Sequence, residues 1–162
     1  MDHDAVSAGD VGKLRLALQA GVDVDSRHAG SGVTALMTAC VGGHEAATRV
    51  LLEAGAAVDW QHSNGKTALM LASQYGHEGV LRIGAGAAVN SKSNTGDTAL
   101  KLASQHGRER TMRMLLEAGA AVDLEGTDGD TALIRASKEG HEVTVRVLLE
   151  AGAAVNPWIR KT

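Results

Sequence analysis

Three histidines recur at matched positions of this 162-residue chain, and their chemistry would suit metal binding or acid–base catalysis. His44, His77 and His141 stand in the stretches GHEAATR, GHEGVLR and GHEVTVR. Zinc needs ligand nitrogens about 2 Å away, whereas equivalent residues of neighbouring packed helices lie about 8 to 10 Å apart. We therefore expect a structural role at helix starts, where backbone groups need partners, and we predict no metal and no cofactor.

Two other features could support nucleophilic catalysis or phosphate binding. Cys40 is the only cysteine and stands among apolar residues, so we expect a buried, unreactive thiol without the base that a nucleophile needs. The stretch GAGAAVN from Gly84 is rich in glycine, but no predicted strand precedes it and no Lys-Ser or Lys-Thr pair follows it. Because the sequence contains no convergent acid, base and nucleophile, we predict that the chain is not an enzyme.

The composition narrows the classes of partner. The chain has no Phe, one Tyr and two Trp beside 20 Gly, and its net charge is −3. Small aliphatic residues suit thin packed layers better than a deep aromatic-lined pocket. With this net charge and with Lys and Arg scattered among Asp and Glu, the sequence indicates no basic patch for the phosphate backbone of nucleic acid. No apolar run approaches the ~20 residues of a membrane span. We expect no nucleic-acid or membrane partner and a cytoplasmic or nuclear location rather than secretion.

A repeat organises the whole chain. The motif TAL begins at Thr34, Thr67, Thr98 and Thr131, at intervals of 33, 31 and 33 residues. An incomplete copy opens the chain, with Gly9 and Gly21 at positions that match glycines of the later copies. Such a period is the signature of a repeat architecture. We predict one domain of five units, numbered 1 to 5, at about residues 1–33, 34–66, 67–97, 98–130 and 131–162.

Each unit carries the same sequence of structural signals. The threonine of the TAL motif can cap a first helix of about two turns, which a glycine ends. A second helix follows, with an acidic residue in its first turn and a further glycine at its end. A polar turn such as SNGK, NTGD or TDGD then predicts a tight hairpin. Since one such unit cannot bury its apolar face alone, the units must stack into an all-α solenoid.

On these motifs the chain resembles the ankyrin repeat family, whose 33-residue unit carries T-P-L-H-x-A, then G-H, then L-L-x-x-G-A-x-V-N. The resemblance extends from about Ala5 to Asn156. Alanine replaces the signature proline at Ala35, Ala68, Ala99 and Ala132, and alanine favours helix. Met37, Met70, Lys101 and Ile134 replace the signature histidine, so hydrogen bonds made by that histidine are expected to be absent. The resemblance implies a non-catalytic module that binds a protein or peptide.

The resemblance also implies where a partner binds: at the hairpin tips and at the exposed ends of the first helices, which line a concave groove. These positions differ most between the copies, which favours recognition, although solvent-exposed positions also vary freely. The predicted partner-binding residues of the tips are Ser31, Val33, Ser63, Asn64, Lys66, Asn94, Thr95, Asp97, Asp128 and Asp130. Those of the helix ends are Val41, Gln74, Tyr75, Gln105, His106, Lys138 and Glu139. Tyr75 is the expected anchor, because aromatic residues carry much interface energy.

Two alternatives to a natural binding module remain open. The near identity of LLEAGAAVD and LLEAGAAVN across units also fits a designed or consensus-derived scaffold, and a stack of repeats could act as a structural spacer or oligomerisation module. The last unit keeps VLLEAGAAVN unchanged, although terminal repeats need a polar outer face. Arg135 is the one residue expected to serve as such an adaptation. We therefore expect self-association through the C-terminal edge, or coverage of that edge by Trp158 and Ile159.

Unit 3 lacks a Leu-Leu pair that units 2, 4 and 5 contain. Removing two residues rotates the rest of a helix by about 200°. The second helix of unit 3 is therefore expected to end near Ile83, with Gly84 or Gly86 absorbing the change and with Val80, Leu81 and Ile83 repacking toward the vacated space. Either a redundant array tolerates this loss, or the shortened helix bends the solenoid beside Tyr75.

Overall fold

The computed structural model describes residues 3–28, 30–84 and 86–155, and these residues form ten α-helices in five consecutive pairs. The helices are α1 (His3–Ser7), α2 (Val11–Gln19), α3 (Ala35–Gly42), α4 (Glu45–Glu53), α5 (Ala68–Tyr75), α6 (Glu78–Ile83), α7 (Ala99–Gln105), α8 (Glu109–Glu117), α9 (Ala132–Lys138) and α10 (Glu142–Glu150). Each first helix contacts the first helix of the next unit, and each second helix does the same. The result is the predicted two-layered all-α solenoid.

The helix boundaries follow the predicted caps. The hydroxyl oxygens of Thr34, Thr67, Thr98 and Thr131 each accept the backbone N–H three residues further on, at 3.2 to 3.4 Å. Helices α3 and α5 end at Gly43 and Gly76 in the left-handed conformation, as expected from sequence. The first helices of units 4 and 5 end one residue earlier, with His106 and Glu139 as C-cap residues.

Hydrogen bonds between equivalent residues hold the units in register. At the hairpin tips, the backbone N–H groups of Ser63, Asn94 and Thr127 donate to the tip carbonyl of the preceding unit at 3.0 to 3.2 Å. At the hairpin bases, a side-chain oxygen accepts a backbone N–H of the following unit at 2.8 to 2.9 Å. The accepting residues are Asp25, Asp59, Asn90 and Asp123. The tips therefore form a continuous, regularly spaced row.

The three recurrent histidines join neighbouring units. Nε2 of His44, His77 and His141 donates to a backbone carbonyl of the preceding unit at 2.9 to 3.0 Å. None of the three caps its own helix through a side-chain hydrogen bond. The structural role is thus confirmed, but the backbone groups that they satisfy belong to the neighbouring unit. In unit 4, Arg108 takes this place and donates from Nε to the Gln74 carbonyl at 3.3 Å.

Unit 3 departs from the repeat as predicted. Helix α6 has six residues and ends at Ile83, whereas α4, α8 and α10 have nine. Gly84 follows with φ −76°, and Gly86 has φ +109° where its counterparts in the full-length units have +85° to +87°. Gly86 therefore absorbs the change, which a residue with a side chain could not do without strain.

The buried residues form two clusters that meet at this short helix. The first cluster contains Val80 and apolar residues of units 1 to 3, and the second contains Leu115 and apolar residues of units 3 to 5. Leu81 is partly buried and packs against both. Val80 is 3% exposed and Ile83 is half-buried. The loss of two leucines thus leaves Leu81 as the main apolar link between the halves of the core.

The C-terminal edge is apolar, and Arg135 does not serve to make it polar. The Arg135 side chain is only 18% exposed and points to acidic residues of the adjacent hairpins, so the expectation that it adapts the outer face is wrong. Leu149 and Val155, by contrast, are 43% and 80% exposed. The prediction that Trp158 and Ile159 cover this edge falls outside the described residues.

Candidate protein-binding surface

The predicted contact residues follow the row of tips and the ends of the first helices. Most of their side chains are accessible to a partner. Those that are exposed are Val41, Ser63, Asn64, Tyr75, Asn94, Thr95, Asp128, Lys138 and Glu139, and those that are partly buried are Ser31, Val33, Lys66, Gln74, Gln105, His106 and Asp130. Asp97 is buried, with 9% of its surface exposed. In this conformation a partner would therefore meet the Asp97 carboxylate only at its edge.

Tyr75 is held in place at the end of α5 while its ring stays accessible. The ring is stacked with that of His77, with centroids 6.1 Å apart and planes 23° apart. His77 in turn donates to the Val41 carbonyl, which fixes the tyrosine relative to the preceding unit. Tyr75 is 45% exposed and Val41 is 39% exposed. An exposed aromatic ring on a rigid support has the properties of an interface anchor.

Hydrogen bonds also connect hairpin tips with helix ends. Nζ of Lys66 donates to Oε1 of Gln74 at 2.9 Å across the boundary between units 2 and 3. Gln105 accepts from Nη1 of Arg135 at 2.9 Å across the boundary between units 4 and 5. The His106 ring is oriented by a 2.9 Å hydrogen bond between Nδ1 and the Leu102 carbonyl. Several predicted contact residues are therefore ordered before any partner arrives, which lowers the entropic cost of binding.

A network of six charged residues connects the hairpin tips of units 3 and 4 with the first helices of units 4 and 5. Its members are Asp97, Lys101, Asp128, Asp130, Arg135 and Lys138. Arg135 lies at the centre, with guanidinium nitrogens 3.4 Å from Asp97, 2.5 Å from Asp128 and 3.1 Å from Asp130. Lys138 extends the network to solvent through a 2.7 Å contact with Asp130. Three carboxylates balance three cations, so the network carries no net charge.

The pKa values of two members reflect this arrangement. Burial lowers the pKa of Arg135, but the hydrogen bond that its guanidinium donates to Asp128 and the charges of Asp128, Asp97 and Asp130 raise the pKa above its ordinary value. The pKa of Asp128 is lowered, chiefly because its carboxylate accepts the backbone N–H of Asp130 and further because of Arg135, while burial opposes the shift. Both groups are therefore charged at neutral pH.

Lys101 is the most deeply buried member of the network. Its side chain is 1% exposed, and Nζ lies 3.5 Å from Asp97 and 3.7 Å from Asp128. No hydrogen bond to this nitrogen is formed within the described residues. A Cβ atom at Gly126 would collide with Nζ, so any other residue there would force the lysine side chain to shift. His62 and Ser93 stand at the matching positions of the preceding hairpins, which face Met37 and Met70 instead of lysine.

Trp60 and Arg27 form a further exposed pair that the repeat pattern does not predict. The Arg27 guanidinium carbon lies 4.8 Å from the centroid of the Trp60 ring, and Trp60 is 37% exposed. Such cation–π contacts contribute about 0.5 to 1 kcal/mol at exposed sites. The signal in the sequence is the tryptophan itself, which stands in a loop of a chain with few aromatic residues.

The structure also places the residues considered for chemistry. Cys40 is 3% exposed, and burial raises its pKa to about 12 against a weak opposing effect of the Thr48 hydroxyl; the prediction of a buried thiol is confirmed. Within residues 3–28, 30–84 and 86–155, no three His, Cys, Asp or Glu side chains lie together in a way that could hold a metal ion. In the same ranges no helix is both long and apolar enough to cross a membrane.

Comparison with known protein families accounts for the repeat. A family model for ankyrin repeats, which spans three copies, matches residues 3–93 and again residues 80–157. The two matches overlap and together extend over nearly all of the chain. Ankyrin repeats are generally protein–protein interaction modules. The chain therefore belongs to the ankyrin repeat family.

Proposed function

We propose that this protein is a non-catalytic interaction module, located in the cytoplasm or nucleus, that binds a protein or peptide through its hairpin tips and the concave face of its first helices. The observation that carries the proposal is the exposed Tyr75 ring, which is stacked on His77 at the end of α5, within a row of units held in register. The chemistry of the surface favours a partner of mixed character. Tyr75 and Val41 offer apolar contacts, and the tips offer amides, hydroxyls and the balanced charges of the network.

A capture experiment tests this proposal. The protein is immobilised and exposed to a lysate of the source cell, and the retained protein is identified and then purified for titration. Replacing Tyr75 and His106 together by alanine is expected to weaken its binding about 10- to 100-fold, because interface anchors contribute about 2 kcal/mol or more. Both side chains are accessible enough that the variant should keep its fold, which circular dichroism verifies.

A matched variant of the opposite face serves as control. Arg49 and Arg146 are exposed on the second helices, and replacing both by alanine is expected to leave affinity within about twofold. Loss of binding in this control but not in the Tyr75→Ala/His106→Ala variant would contradict the proposed surface. A protein that retains no partner from the lysate would favour the spacer or designed-scaffold alternatives instead.

Self-association through the C-terminal edge is a second candidate function, favoured by the apolar residues exposed there. Leu149 and Val155 are accessible beside grooves that Leu133, Ile134 and Val145 line. We expect sedimentation to show a concentration-dependent dimer, and we expect Leu149→Glu to abolish it because the interface would bury an unpaired charge. A protein that stays monomeric at high concentration, both as wild type and after Trp158→Ala, would eliminate this candidate.

A further inference from the structure

The missing leucine pair leaves a space beside the core that is partly open to solvent. In units 2, 4 and 5 the first leucine of the pair is Leu51, Leu115 or Leu148, each no more than 2% exposed. In unit 3, Gly84 stands seven residues after His77, as Leu51 does after His44, so no side chain fills this position and the neighbouring residues do not close the gap. A cavity of about 280 Å³ lies between α6 and α8. A second one of about 20 Å³ lies on the side of Leu81 that faces unit 2, and it has room for about one water molecule.

The walls of the larger cavity are mainly apolar, and their polar part comes from the backbone. Its main side chains are those of Leu69, Leu81, Val89, Met114 and Leu115, and glycine and alanine complete the lining. Among the described residues that line it, none carries a charged or hydroxyl-bearing side chain. Water in such a space finds few hydrogen-bond partners, whereas an apolar molecule gains the dispersion contacts that the wall atoms lack.

We propose that this cavity is a binding site for a small, uncharged hydrocarbon-like molecule, with a branched aliphatic or single-ring body that replaces the missing leucine side chains. The volume approaches the lower limit of about 300 Å³ for small-molecule sites. Leu69 is the second residue of α5 and Tyr75 is the last, so about 9 Å of helix separates the cavity from the anchor of the concave face. The site is therefore distinct from the protein-binding surface and does not depend on it.

Benzene is a suitable probe, because it is apolar, compact and soluble to millimolar concentration. We expect saturable changes in the methyl NMR signals of Leu69, Leu81 and Leu115 during titration, and no such changes at Leu133 and Leu148, which lie in unit 5 away from the cavity. At ten times Kd, benzene should favour the folded form about tenfold and raise Tm by roughly 3 to 6 °C.

A pair of variants at Gly84 provides the matched control. Gly84 lines both cavities and has φ −76°, and a Cβ atom there would meet only backbone oxygens at 3.5 and 3.8 Å. Gly84→Leu is expected to fill the cavity and abolish the saturable changes, while Gly84→Ala keeps the cavity and preserves them. If Gly84→Leu does not fold, insertion of Leu-Leu after Ile83 replaces it. Benzene binding that persists in the filled variant, or changes in the wild type that do not saturate, would overturn the proposal.

Discussion

Inserting Leu-Leu between Ile83 and Gly84 is expected to raise the free energy of unfolding by about 2 to 4 kcal/mol. The insertion restores the 33-residue period and extends α6 to the nine residues of its counterparts. The first inserted leucine should be fully buried, as Leu51 and Leu148 are, and the second partly buried, as Leu52 is. Urea unfolding followed by circular dichroism measures the change, and slower amide exchange in residues 76–90 should accompany it.

An Ala-Ala insertion at the same place separates the filling of the cavity from the repair of helix length. Alanine restores the period and favours helix, but it leaves most of the cavity open. The Ala-Ala insertion should therefore raise the free energy of unfolding less than the Leu-Leu insertion does. If the urea midpoint of unfolding of the Leu-Leu variant is unchanged or lower, the short helix is already well packed. If partner binding falls while stability rises, the short helix serves recognition; unchanged binding indicates a tolerated loss.

Replacing Asp97 by alanine is expected to lower the free energy of unfolding by about 2 to 4 kcal/mol. The buried Lys101 would keep only Asp128 as a counter-ion, and the side chain of Asp128 is 44% exposed. Arg135 would lose one of its three carboxylates as well. Removing one partner leaves a buried charge less compensated, which costs more than removing the pair. Thermal and urea unfolding at neutral pH measure the effect.

Lys101→Met is the matched control for this prediction. Met37 and Met70 occupy the same position in units 2 and 3, each 1% exposed, so methionine fits the local packing. Asp97 would remain paired with Arg135. We therefore expect the free energy of unfolding to change by no more than about 1 kcal/mol in either direction. A Lys101→Met variant that is destabilised as strongly as Asp97→Ala would show that the lysine contributes stability beyond its role as a counter-ion.

Local signals in the sequence sufficed for the helices but not for the contacts between units. Thr34 and Gly43 act within a few residues of their own helix, so their roles follow from spacing alone. The ion pairs of Arg135 depend instead on hairpins up to 38 residues away, and only the stacked structure shows that they meet. The same holds for His77, whose partner is a carbonyl 36 residues earlier.

In unit 3, the end of the short helix was predictable from the sequence, but the cavity beside it was not. The interval of 31 residues predicted that α6 ends near Ile83, because the loss of two residues rotates the rest of the helix by about 200°. It did not predict that a cavity would persist, since this depends on how far Leu81 and its neighbours can move into the vacated space. For the contact surface, spacing identified Tyr75 and the tips, whereas the burial of Asp97 and the exposure of Trp60 follow from side-chain positions.

Amide hydrogen exchange of the captured complex is the most direct test of the proposed binding surface. Peptides are compared with and without the purified partner, at a concentration that saturates the protein. We predict protection at the tips, in residues 31–33, 63–66, 94–97 and 128–130, and at the helix ends around Tyr75 and His106. Protection centred instead on the second helices, around Arg49, Arg113 and Arg146, with unchanged exchange at the tips, would contradict it.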